Sequence, residues 1–446
     1  MRPALMGFVI LPYAQITIQT TYAQSRAQTT PWGLIGVAGG TNEREWPMDL
    51  DVGELLGHGW RPTPFRQFVV KIHSRCNLSC DYCYVYEMAD QGWRAQPRRM
   101  APATIDRVAH RIAEHAHTHE LPEVEVVLHG GEPLLAGPDA IRHAVTAVRT
   151  AAGPDVVVTA HVQTNGALLD TEFLRLFDEL GIRVGVSLDG DARGHDLHRR
   201  HADGRGSHAE VHAGLERLTA PAYRHLFSGL LSTIDLRNDP IATYEALLEF
   251  APPAVDFLLP HGNWDIPPPG RPADDPVTPY GEWLVAAFDR WYGTPARETR
   301  VRLFGEIIQL LLGGQSSTEW VGLSPVAMAV VETDGSIEQV DTLKSAYEGA
   351  AATGFHLARD TFDTMLLLPS IAARQIGDRA LSARCRACEI GRVCGGGLYP
   401  HRYRTGSGFF NPSIYCHDLI RLIVHIREVI TADLTELRAR LHGNGD

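Results

Sequence analysis

The stretch FRQFVVKIHSRCNLSCDYC, residues 65–83, decides the fold and raises the question of the chemistry. Its first half, FRQFVVKIH (65–73), is an apolar run with the length of a buried strand. The chain has only seven cysteines, and three of them follow this strand at once: Cys76, Cys80 and Cys83. The other four lie near the opposite end: Cys385, Cys388, Cys394 and Cys416. Thiols clustered at such spacings indicate zinc, iron–sulfur or redox sites.

Outward from this stretch, apolar runs and amphipathic segments alternate. Six runs have the character of buried strands: 65–73, 124–131, 156–166, 183–190, 226–235 and 254–262. Helical periodicity lies between them: 103–119, 139–151, 171–180, 208–219 and 241–251. The alternation predicts a parallel α/β sheet, open or curved into a barrel. Ligand groups gather at the carboxyl ends of such strands, where Cys76, Gly130, Asn165 and Asp189 lie.

The pattern changes after residue 265. A proline-rich connection (266–276) leads to helical stretches at 278–292 and 299–313, and 326–340 is typical of a hairpin turning at Asp334-Gly335. The last four cysteines precede an amphipathic helix at 417–441. We therefore predict four parts: an N-terminal extension (1–64), an α/β unit (65–265), a helical connection (266–325) and a small C-terminal domain (326–446).

Composition argues against two classes of protein. The net charge of −12 and the pI near 5.9 argue against a nucleic-acid binder with a broad basic surface. No apolar run reaches the roughly 18–20 residues of a membrane span. The odd number of cysteines at ligand-like spacing predicts a cytoplasmic protein rather than a disulfide-bonded secreted one. Residues 1–60 show only one strand-like segment, QITIQTTY (15–22), and a weak resemblance of the first fifteen residues to a secretory signal.

The first cysteine set is incomplete as a closed metal site. Structural zinc and most iron–sulfur clusters need four protein ligands, and only three thiols are present. The nearest histidine, His73, belongs to the strand pattern and is interpreted as a packing residue. A four-iron cluster held by three thiolates leaves one iron open to a substrate or cofactor.

Five motifs in register then carry a family resemblance. C-x3-C-x2-C with Tyr82 before its last cysteine resembles the radical S-adenosylmethionine (SAM) enzymes. So do four segments at or after the following strands: HGGEP (129–133), QTNG (163–166), SLDG (187–190) and HDLHR (195–199). The resemblance covers roughly residues 65–260 and implies a partial (β/α)6 radical SAM barrel.

The resemblance also implies residue roles. A [4Fe–4S] cluster on Cys76, Cys80 and Cys83 would bind SAM through its open iron. Gly130 and Gly131 would let the backbone approach the methionyl group, Glu132 would accept a hydrogen bond from its ammonium, and Arg199 would bind its carboxylate. Neutral polar contacts would come from His129, Asn165 and Ser187. Read without the family, the glycines can be plain turns, and the histidines at 195, 198, 201 and 208 are interpreted as a solvated loop.

The C-terminal cysteines form a complete set of four. Taken alone, Cys385, Cys388, Cys394 and Cys416 can hold either zinc or a closed cubane cluster. Beside a radical SAM barrel they resemble the SPASM/twitch domains, which implies a small C-terminal iron–sulfur domain. Full SPASM domains carry further cysteines after the hairpin, where this chain reads DGSIEQVDTLK (334–344). We therefore expect one auxiliary [4Fe–4S] cluster.

Longer stretches resemble the FxsB-type peptide maturases: KIHSRCNLSCDYCYVYE, HGGEPLLAG and CGGGLYPHRYR with GFFNPSIYCHDLIRLI. This implies an enzyme that joins an aromatic ring to the Cβ of a nearby residue in a ribosomally made precursor peptide, forming a cyclophane. A reducing partner such as flavodoxin or ferredoxin is implied as well. Three carboxylates are candidate bases by position: Asp235, Asp256 and Asp341. The alternatives are another radical SAM peptide modification (formylglycine or thioether formation) and a non-catalytic, metal-stabilised peptide-binding scaffold.

Overall fold

The computed structural model describes residues 46–273 and 275–443. The strand predicted at 15–22 lies outside the described residues. One ten-stranded sheet organises the described chain, in the order β10-β9-β8-β1-β2-β3-β4-β5-β6-β7. The strands are β1 (Gln67–His73), β2 (Glu123–Gly130), β3 (Val157–Thr164), β4 (Ile182–Ser187), β5 (Phe227–Thr233), β6 (Ala254–Leu258), β7 (Arg300–Val301), β8 (Met328–Val331), β9 (Ser336–Glu338) and β10 (Ala352–His356).

The helices of the barrel region follow the strands. They are α1 (Val52–Gly57), α2 (Pro102–Thr118), α3 (Pro138–Ala152), α4 (Thr171–Leu180), α5 (Ala192–Asp196), α6 (His208–Thr219) and α7 (Pro240–Leu248). Those further along the chain are α8 (Pro279–Gly293), α9 (Arg302–Leu311), α10 (Phe362–Leu366), α11 (Pro369–Ala372), α12 (Ala383–Arg386), α13 (Gly391–Cys394) and α14 (Cys416–Gly443). The described residues also form short 3-10 turns, at Gly92–Ala95, Pro133–Ala136, Arg224–Leu226, Asp341–Ser345, Gly377–Ala380 and Tyr399–Arg402.

 Counted over the described ranges, these 3-10 turns number six, and each is three to five residues long.

The barrel prediction from the sequence is confirmed. Strands β1 to β6 pair in parallel and in chain order, and a helix follows each of β2 to β5. Local signals define the helices: Pro102 lies in the first turn of α2, and the Asp170 carboxylate caps α4 by accepting from the N–H groups of Glu172 and Phe173. Gly181 ends α4 in the left-handed conformation (φ 59°) that glycine adopts at little cost.

Alternation along each strand separates an apolar face from a polar one. On β1, Phe68, Val70 and Ile72 are buried in the hydrophobic core, packed with helix residues such as Ile105 of α2. The intervening Lys71 faces the opposite side of the sheet, toward the interior of the curve, and is only 2% exposed. A buried charge on this concave side needs partners, and they come from the C-terminal part of the chain.

The sheet does not stop at the predicted domain boundary. The hairpin turns at Asp334-Gly335 as predicted, but β8 pairs in parallel with β1, with Phe68 opposite Ala329 and Val70 opposite Val331. The boundary at 326 stays a prediction, and residues on both sides of it belong to one sheet. Two strands were not predicted: β7, which lies where a helix was expected to begin, and β10, which pairs antiparallel with β9.

Over residues 46–273 and 275–443, no helix combines the length and the apolar character that a membrane crossing requires.

Candidate functional site

The first three cysteines lie in the loop that leaves β1 and crosses the carboxyl ends of the neighbouring strands. The N–H of Cys83 donates to the Cys80 carbonyl (3.1 Å), which closes a turn within the set. The amide nitrogen of Asn165, at the end of β3, donates to the Asn77 side-chain oxygen (2.9 Å) and lies 3.6 Å from the Cys76 sulfur. The structure thus brings Asn165 and the cysteine loop together.

Gly130 and Gly131 are required by the cysteine loop itself. A Cβ on Gly130, which has φ 142°, would lie 2.0 Å from the His73 carbonyl oxygen. A Cβ on Gly131 would lie 1.8 Å from the Tyr86 hydroxyl and 2.5 Å from the Arg75 backbone. These contacts are protein contacts, so close packing of β2 against the loop requires both glycines, and their approach to a ligand stays a prediction.

Glu132 connects the ends of β2 and β3 from a fully buried position. Its carboxylate accepts from the Thr164 hydroxyl (2.7 Å) and from the backbone N–H groups of Asn165 (2.8 Å) and Leu134 (3.0 Å). Burial raises the pKa of this carboxyl to about 7, and the three hydrogen bonds oppose that rise. A carboxyl so placed fixes the position of Asn165 beside Cys76.

The carboxylate of Asp189, which follows the end of β4, accepts three hydrogen bonds. It accepts from the Tyr82 hydroxyl, from Nε of Arg199 (2.9 Å) and from the N–H of Thr233 (2.9 Å). Burial acts to raise the pKa of Asp189, but Arg199, His195 and the hydrogen bonds from Tyr82 and Thr233 together lower it below its usual value. The same guanidinium lies 5.5 Å from the centre of the Tyr82 ring. Tyr82 of the cysteine loop and Arg199 are thereby held by one carboxylate.

His129 and Ser187 face the concave side of the sheet. Burial lowers the pKa of His129, so its imidazole is neutral at neutral pH, and its buried Nδ1 has no hydrogen-bond partner among the described residues. The Ser187 hydroxyl accepts from the Gln163 amide (3.2 Å). Both side chains therefore contribute neutral polar atoms below the cysteine loop.

The interpretation of the histidines after β4 as a solvated loop is wrong for His195, while His198, His201 and His208 are partly exposed. His195 is fully buried, with Nε2 3.0 Å from the Ser207 hydroxyl and Nδ1 accepting from the Asp189 N–H (3.3 Å). His198 lies between Asp81 and Asp235, at 2.5 and 2.9 Å. Tertiary packing encloses polar side chains here because each finds a partner.

The second cysteine set lies around the short helices α12 and α13 and the first residue of α14. The Cys388 N–H donates to the Cys385 carbonyl (3.3 Å), Cys394 ends α13 and Cys416 begins α14. After Cys394 the glycines at 395–397 all have positive φ and wrap around the buried Arg402 guanidinium, which donates to the carbonyls of Gly395 (2.6 Å) and Gly397. Burial raises the pKa of the Cys394 thiol to about 12, and the neighbouring thiols of Cys416 and Cys385 also act to raise it.

The thiols of each cysteine set lie close enough to act on one another's pKa. Cys80 and Cys83 raise the pKa of Cys76, and Cys416 and Cys385 raise that of Cys394. Thiols are soft donors of the kind that bind an iron–sulfur cluster or zinc.

A chain of ring contacts connects the two cysteine sets. Tyr84, next to Cys83, lies 4.7 Å from His261, and His261 lies 5.6 Å from His401 (centroid distances). His401 in turn lies 5.0 Å from Tyr415, the neighbour of Cys416. Burial lowers the pKa of His261 to about 4 and that of His401 well below its ordinary value. Both imidazoles are therefore neutral at neutral pH.

Sequence reasoning missed a buried charge network on the concave side of the sheet. Lys71 pairs with Glu332 and Asp341, each at 2.6 Å, and Lys344 pairs with Glu332 and Glu338, each at 2.7 Å. A lone lysine inside the apolar run 65–73 was the available signal, because a buried ammonium requires carboxylate partners.

Each of the three carboxylates considered as a base has a cationic partner. Asp341 pairs with Lys71, Asp256 on β6 accepts from Nε of Arg302 (2.8 Å), and Asp235 accepts from Arg237. Because all three carboxylates are paired in this way, the structure does not single out one of them as a base.

Comparison with known proteins agrees with this geometry. Residues 70–232 match the model of the Radical SAM superfamily. The chain is 23% identical over 388 residues to a serine-type anaerobic sulfatase-maturating enzyme of Bacteroides thetaiotaomicron, a match that covers 81% of this chain and 89% of that one. It is 22% identical over 353 residues to a cysteine-type enzyme of the same kind from Clostridium novyi, covering 77% of this chain and 90% of that one.

Solved structures share the fold. Native anSMEcpe with bound AdoMet and the Cp18Cys peptide superposes with a TM-score of 0.70 at 20% identity, covering 84% of this chain and all of that one. Streptococcus suis SuiB bound to the precursor peptide SuiA gives a TM-score of 0.52 at 12% identity, covering 81% of this chain and 78% of that one. Strand order and the cysteine loop after β1 agree with the match of residues 70–232 to the Radical SAM superfamily model.

Proposed function

We propose that this chain is a radical SAM maturase that modifies a ribosomally made precursor peptide. The observation that carries the proposal is the convergence of Cys76, Asn165 and the Tyr82–Asp189–Arg199 group at the carboxyl ends of β1, β3 and β4. Peptide as the substrate class is supported by two fold neighbours solved with peptides, Cp18Cys and SuiA. A reducing partner such as flavodoxin or ferredoxin completes the proposal.

In this proposal Cys76, Cys80 and Cys83 hold a [4Fe–4S] cluster whose remaining iron binds SAM. When bound, that pair supplies a 5′-deoxyadenosyl radical. Tyr82, held by Asp189, keeps the cysteine loop against β4. Arg199 offers its remaining N–H donors to the SAM carboxylate, and Glu132 holds Asn165 in place beside Cys76.

Cys385, Cys388, Cys394 and Cys416 hold one auxiliary [4Fe–4S] cluster. The full set of four leaves no iron free for SAM, so this cluster serves as an electron acceptor or as a structural element. The ring contacts from Tyr84 to Tyr415 support an arrangement in which the peptide reacts between the two cysteine sets.

The reaction that we propose is cyclophane formation. A 5′-deoxyadenosyl radical would take one hydrogen atom from a Cβ of the peptide and become 5′-deoxyadenosine. The carbon radical would add to an aromatic ring, and the ring would then pass one electron to an acceptor such as the auxiliary cluster and one proton to a base. One C–C bond replaces two C–H bonds, and the product is lighter by two hydrogens. The motif resemblance in the cysteine loop, in 129–137 and in 394–423 supports this outcome.

Formylglycine formation is the second candidate, and the relatives favour it. Both sulfatase-maturating enzymes named above align over more than three quarters of this chain. A serine converted to formylglycine also loses two hydrogens, so mass alone does not separate the two reactions.

One experiment separates them. The reconstituted enzyme is incubated with SAM, dithionite and one of two peptides: the short peptide encoded beside its gene, or a sulfatase peptide with the target serine or cysteine. Cyclophane formation predicts a two-hydrogen loss in the first peptide, fragments missing between the crosslinked residues, and no reaction with a hydrazide. Hydrazide-reactive aldehyde in the second peptide would establish formylglycine formation instead. A protein that produces no deoxyadenosine with either peptide would be the non-catalytic scaffold.

A further inference from the structure

We propose that His115, His119 and Asp363 form a binding site for a divalent transition-metal ion, Zn²⁺ by its ligand set, which clamps α10 onto α2. The three residues lie outside the candidate cluster sites, and none of them has a part in the proposed reaction. The site joins a helix of the radical SAM domain to a helix more than two hundred residues further along the chain.

The geometry begins with the spacing of the two histidines. His115 lies in the last turn of α2 and His119 is the residue that caps it, so their rings lie one turn apart on the same face. Asp363, in the first turn of α10, approaches this face: its Oδ1 lies 2.6 Å from Nδ1 of His115 and 2.7 Å from Nε2 of His119. All three potential ligand atoms lie within 4.8 Å of one another.

The ligand types suit zinc. Imidazole nitrogen and carboxylate oxygen bind Zn²⁺ at about 2.0–2.2 Å, and a site with three protein ligands takes water as its fourth. Such bonds place ligand atoms about 3.4 Å apart, so the Asp363 carboxylate must retract slightly to admit the ion. Its side chain is 32% exposed and is free to do so.

His115 is held ready for a metal by its surroundings. Its ring stacks on Phe65 at 5.8 Å and meets Phe362 edge-on at 6.1 Å (centroid distances), which fixes the direction of Nδ1. Its Nε2 is buried without a hydrogen-bond partner among the described residues, so Nδ1 is the ring nitrogen that faces Asp363.

The ion has a route from solvent. The His119 and Asp363 side chains are 24% and 32% exposed, whereas His115 is 1% exposed. The site therefore has a fixed inner ligand and two ligands at the surface, with an outer position open to water. Without a metal, the same groups would form a hydrogen-bonded His–Asp–His clamp, and this is the alternative that the experiment must separate.

The test uses the full-length holoenzyme with its clusters reconstituted, so that the cysteines are occupied. Zn²⁺ is titrated calorimetrically at about pH 7.5, and iron content is measured before and after. We expect one saturable Zn²⁺ per chain and a Zn²⁺-dependent rise in melting temperature.

Two variants on different helices define the ligands. His119→Gln and Asp363→Asn should each lower the Zn²⁺ affinity by at least about tenfold. His225→Gln is the matched control, because it removes an exposed histidine (58%) paired with Asp178 at 2.9 Å and should leave Zn²⁺ binding unchanged. Wild-type protein with no saturable Zn²⁺ binding tighter than about 100 µM would overturn the proposal in favour of the hydrogen-bonded clamp. Undiminished binding in either folded variant would overturn it as well.

Discussion

Asp189 connects three parts of the candidate site through one carboxylate. Its carboxylate accepts from Tyr82, Arg199 and Thr233, and thereby joins the cysteine loop, the segment after α5 and the end of β5. An Asp-Gly pair after a strand predicts only a turn, and the structure shows a buried carboxylate instead. Removing one partner of such a pair leaves the other charge buried and uncompensated.

The first prediction concerns Arg199. Arg199→Gln should weaken SAM binding about 10- to 100-fold, because a charge-assisted contact of about 1.5–3 kcal/mol is lost. It should also lower the free energy of unfolding by about 3–5 kcal/mol, since Asp189 loses its cationic partner. Equilibrium dialysis with SAM and urea unfolding measure the two effects separately.

Arg200→Gln is the control for this variant. Arg200 is adjacent in sequence, 44% exposed and only 3.7 Å from Asp81, so its removal should change neither quantity by more than about 1 kcal/mol. SAM affinity in Arg199→Gln equal to that of wild type would remove Arg199 from the SAM site.

The second prediction is a dependence of stability on pH. Burial lowers the pKa of His195 to about 3, below the value near 6.5 of an unfolded histidine. Its contribution to stability is therefore fully present above pH 6.5 and is lost as the pH falls toward 3. From pH 6.5 to 5.5 the free energy of unfolding should decrease by about 1 kcal/mol through this group alone.

His195→Asn removes this titration. Urea unfolding of the metal-free protein at the two pH values should show a smaller decrease in His195→Asn than in wild type. The exposed His225→Gln should keep the wild-type decrease. Identical decreases in all three proteins would mean that His195 titrates normally in the folded state.

At the scale of elements, the hairpin β8–β9 is joined to the barrel by two kinds of interaction. Backbone pairing places β8 beside β1, and the ammonium of Lys71 on β1 contacts Glu332 and Asp341 on either side of the hairpin. Asp341 and Glu332 act together to raise the pKa of Lys71 although burial opposes them, so the lysine is charged. The hairpin is therefore an extension of the barrel sheet.

The third prediction tests that link. Lys71→Met should lower the free energy of unfolding by about 3–5 kcal/mol, because it leaves the carboxylates of Glu332 and Asp341 without the ammonium that pairs with both. Arg142→Gln breaks the exposed pair with Glu179 and should cost less than about 1 kcal/mol. Similar losses in both variants, measured by urea unfolding, would show that the Lys71 network adds no more than a surface pair.

At the scale of the whole molecule, two cysteine sets lie more than three hundred residues apart in sequence, with a chain of rings between them. Three thiols of one set follow β1, and four of the other gather around α12, α13 and α14. The division of the seven cysteines into a set of three and a set of four leads to one prediction of the iron content and one of the role of each set.

The fourth prediction is an iron count. Anaerobically reconstituted protein should hold about eight irons per chain, from two [4Fe–4S] clusters. Iron and zinc are measured together by elemental analysis, and any zinc bound at His115, His119 and Asp363 is identified by its loss in Asp363→Asn. About four irons with zinc retained in Asp363→Asn would overturn the auxiliary-cluster proposal.

The fifth prediction separates the two sets by function. Cys80→Ala should abolish deoxyadenosine formation, while Cys388→Ala should still form it and yield far less crosslinked peptide per deoxyadenosine. Chromatography of both products measures the ratio, and Cys388→Ala must first match the wild type in solubility and first-cluster iron. A wild-type ratio in well-folded Cys388→Ala would exclude the auxiliary cluster from the reaction.

Much of the architecture was predictable from local patterns. Strands and helices at 65–258 occur within a few residues of their predicted positions. Burial on one or both faces of an element sets the spacing of its apolar residues, and this spacing can be recognised in the sequence. The cysteine sets could be recognised by number and spacing. The short strand β7 could not be predicted, since two residues are too few to show a hydrophobic period. Its pairing with β6 depends on the rest of the sheet.

The sequence by itself determined the order of elements and the two sets of thiols, because periodicity and ligand spacing act over a few residues. The tertiary structure alone decided which distant side chains meet: Lys71 with Glu332, Tyr82 with Asp189, and His115 with Asp363. These pairs are separated by 107 to 261 residues, and their contacts depend on strand register and helix packing. Buried polar groups are stable only when such partners are present, so the fold had to be complete before the surroundings of the cysteines could be described.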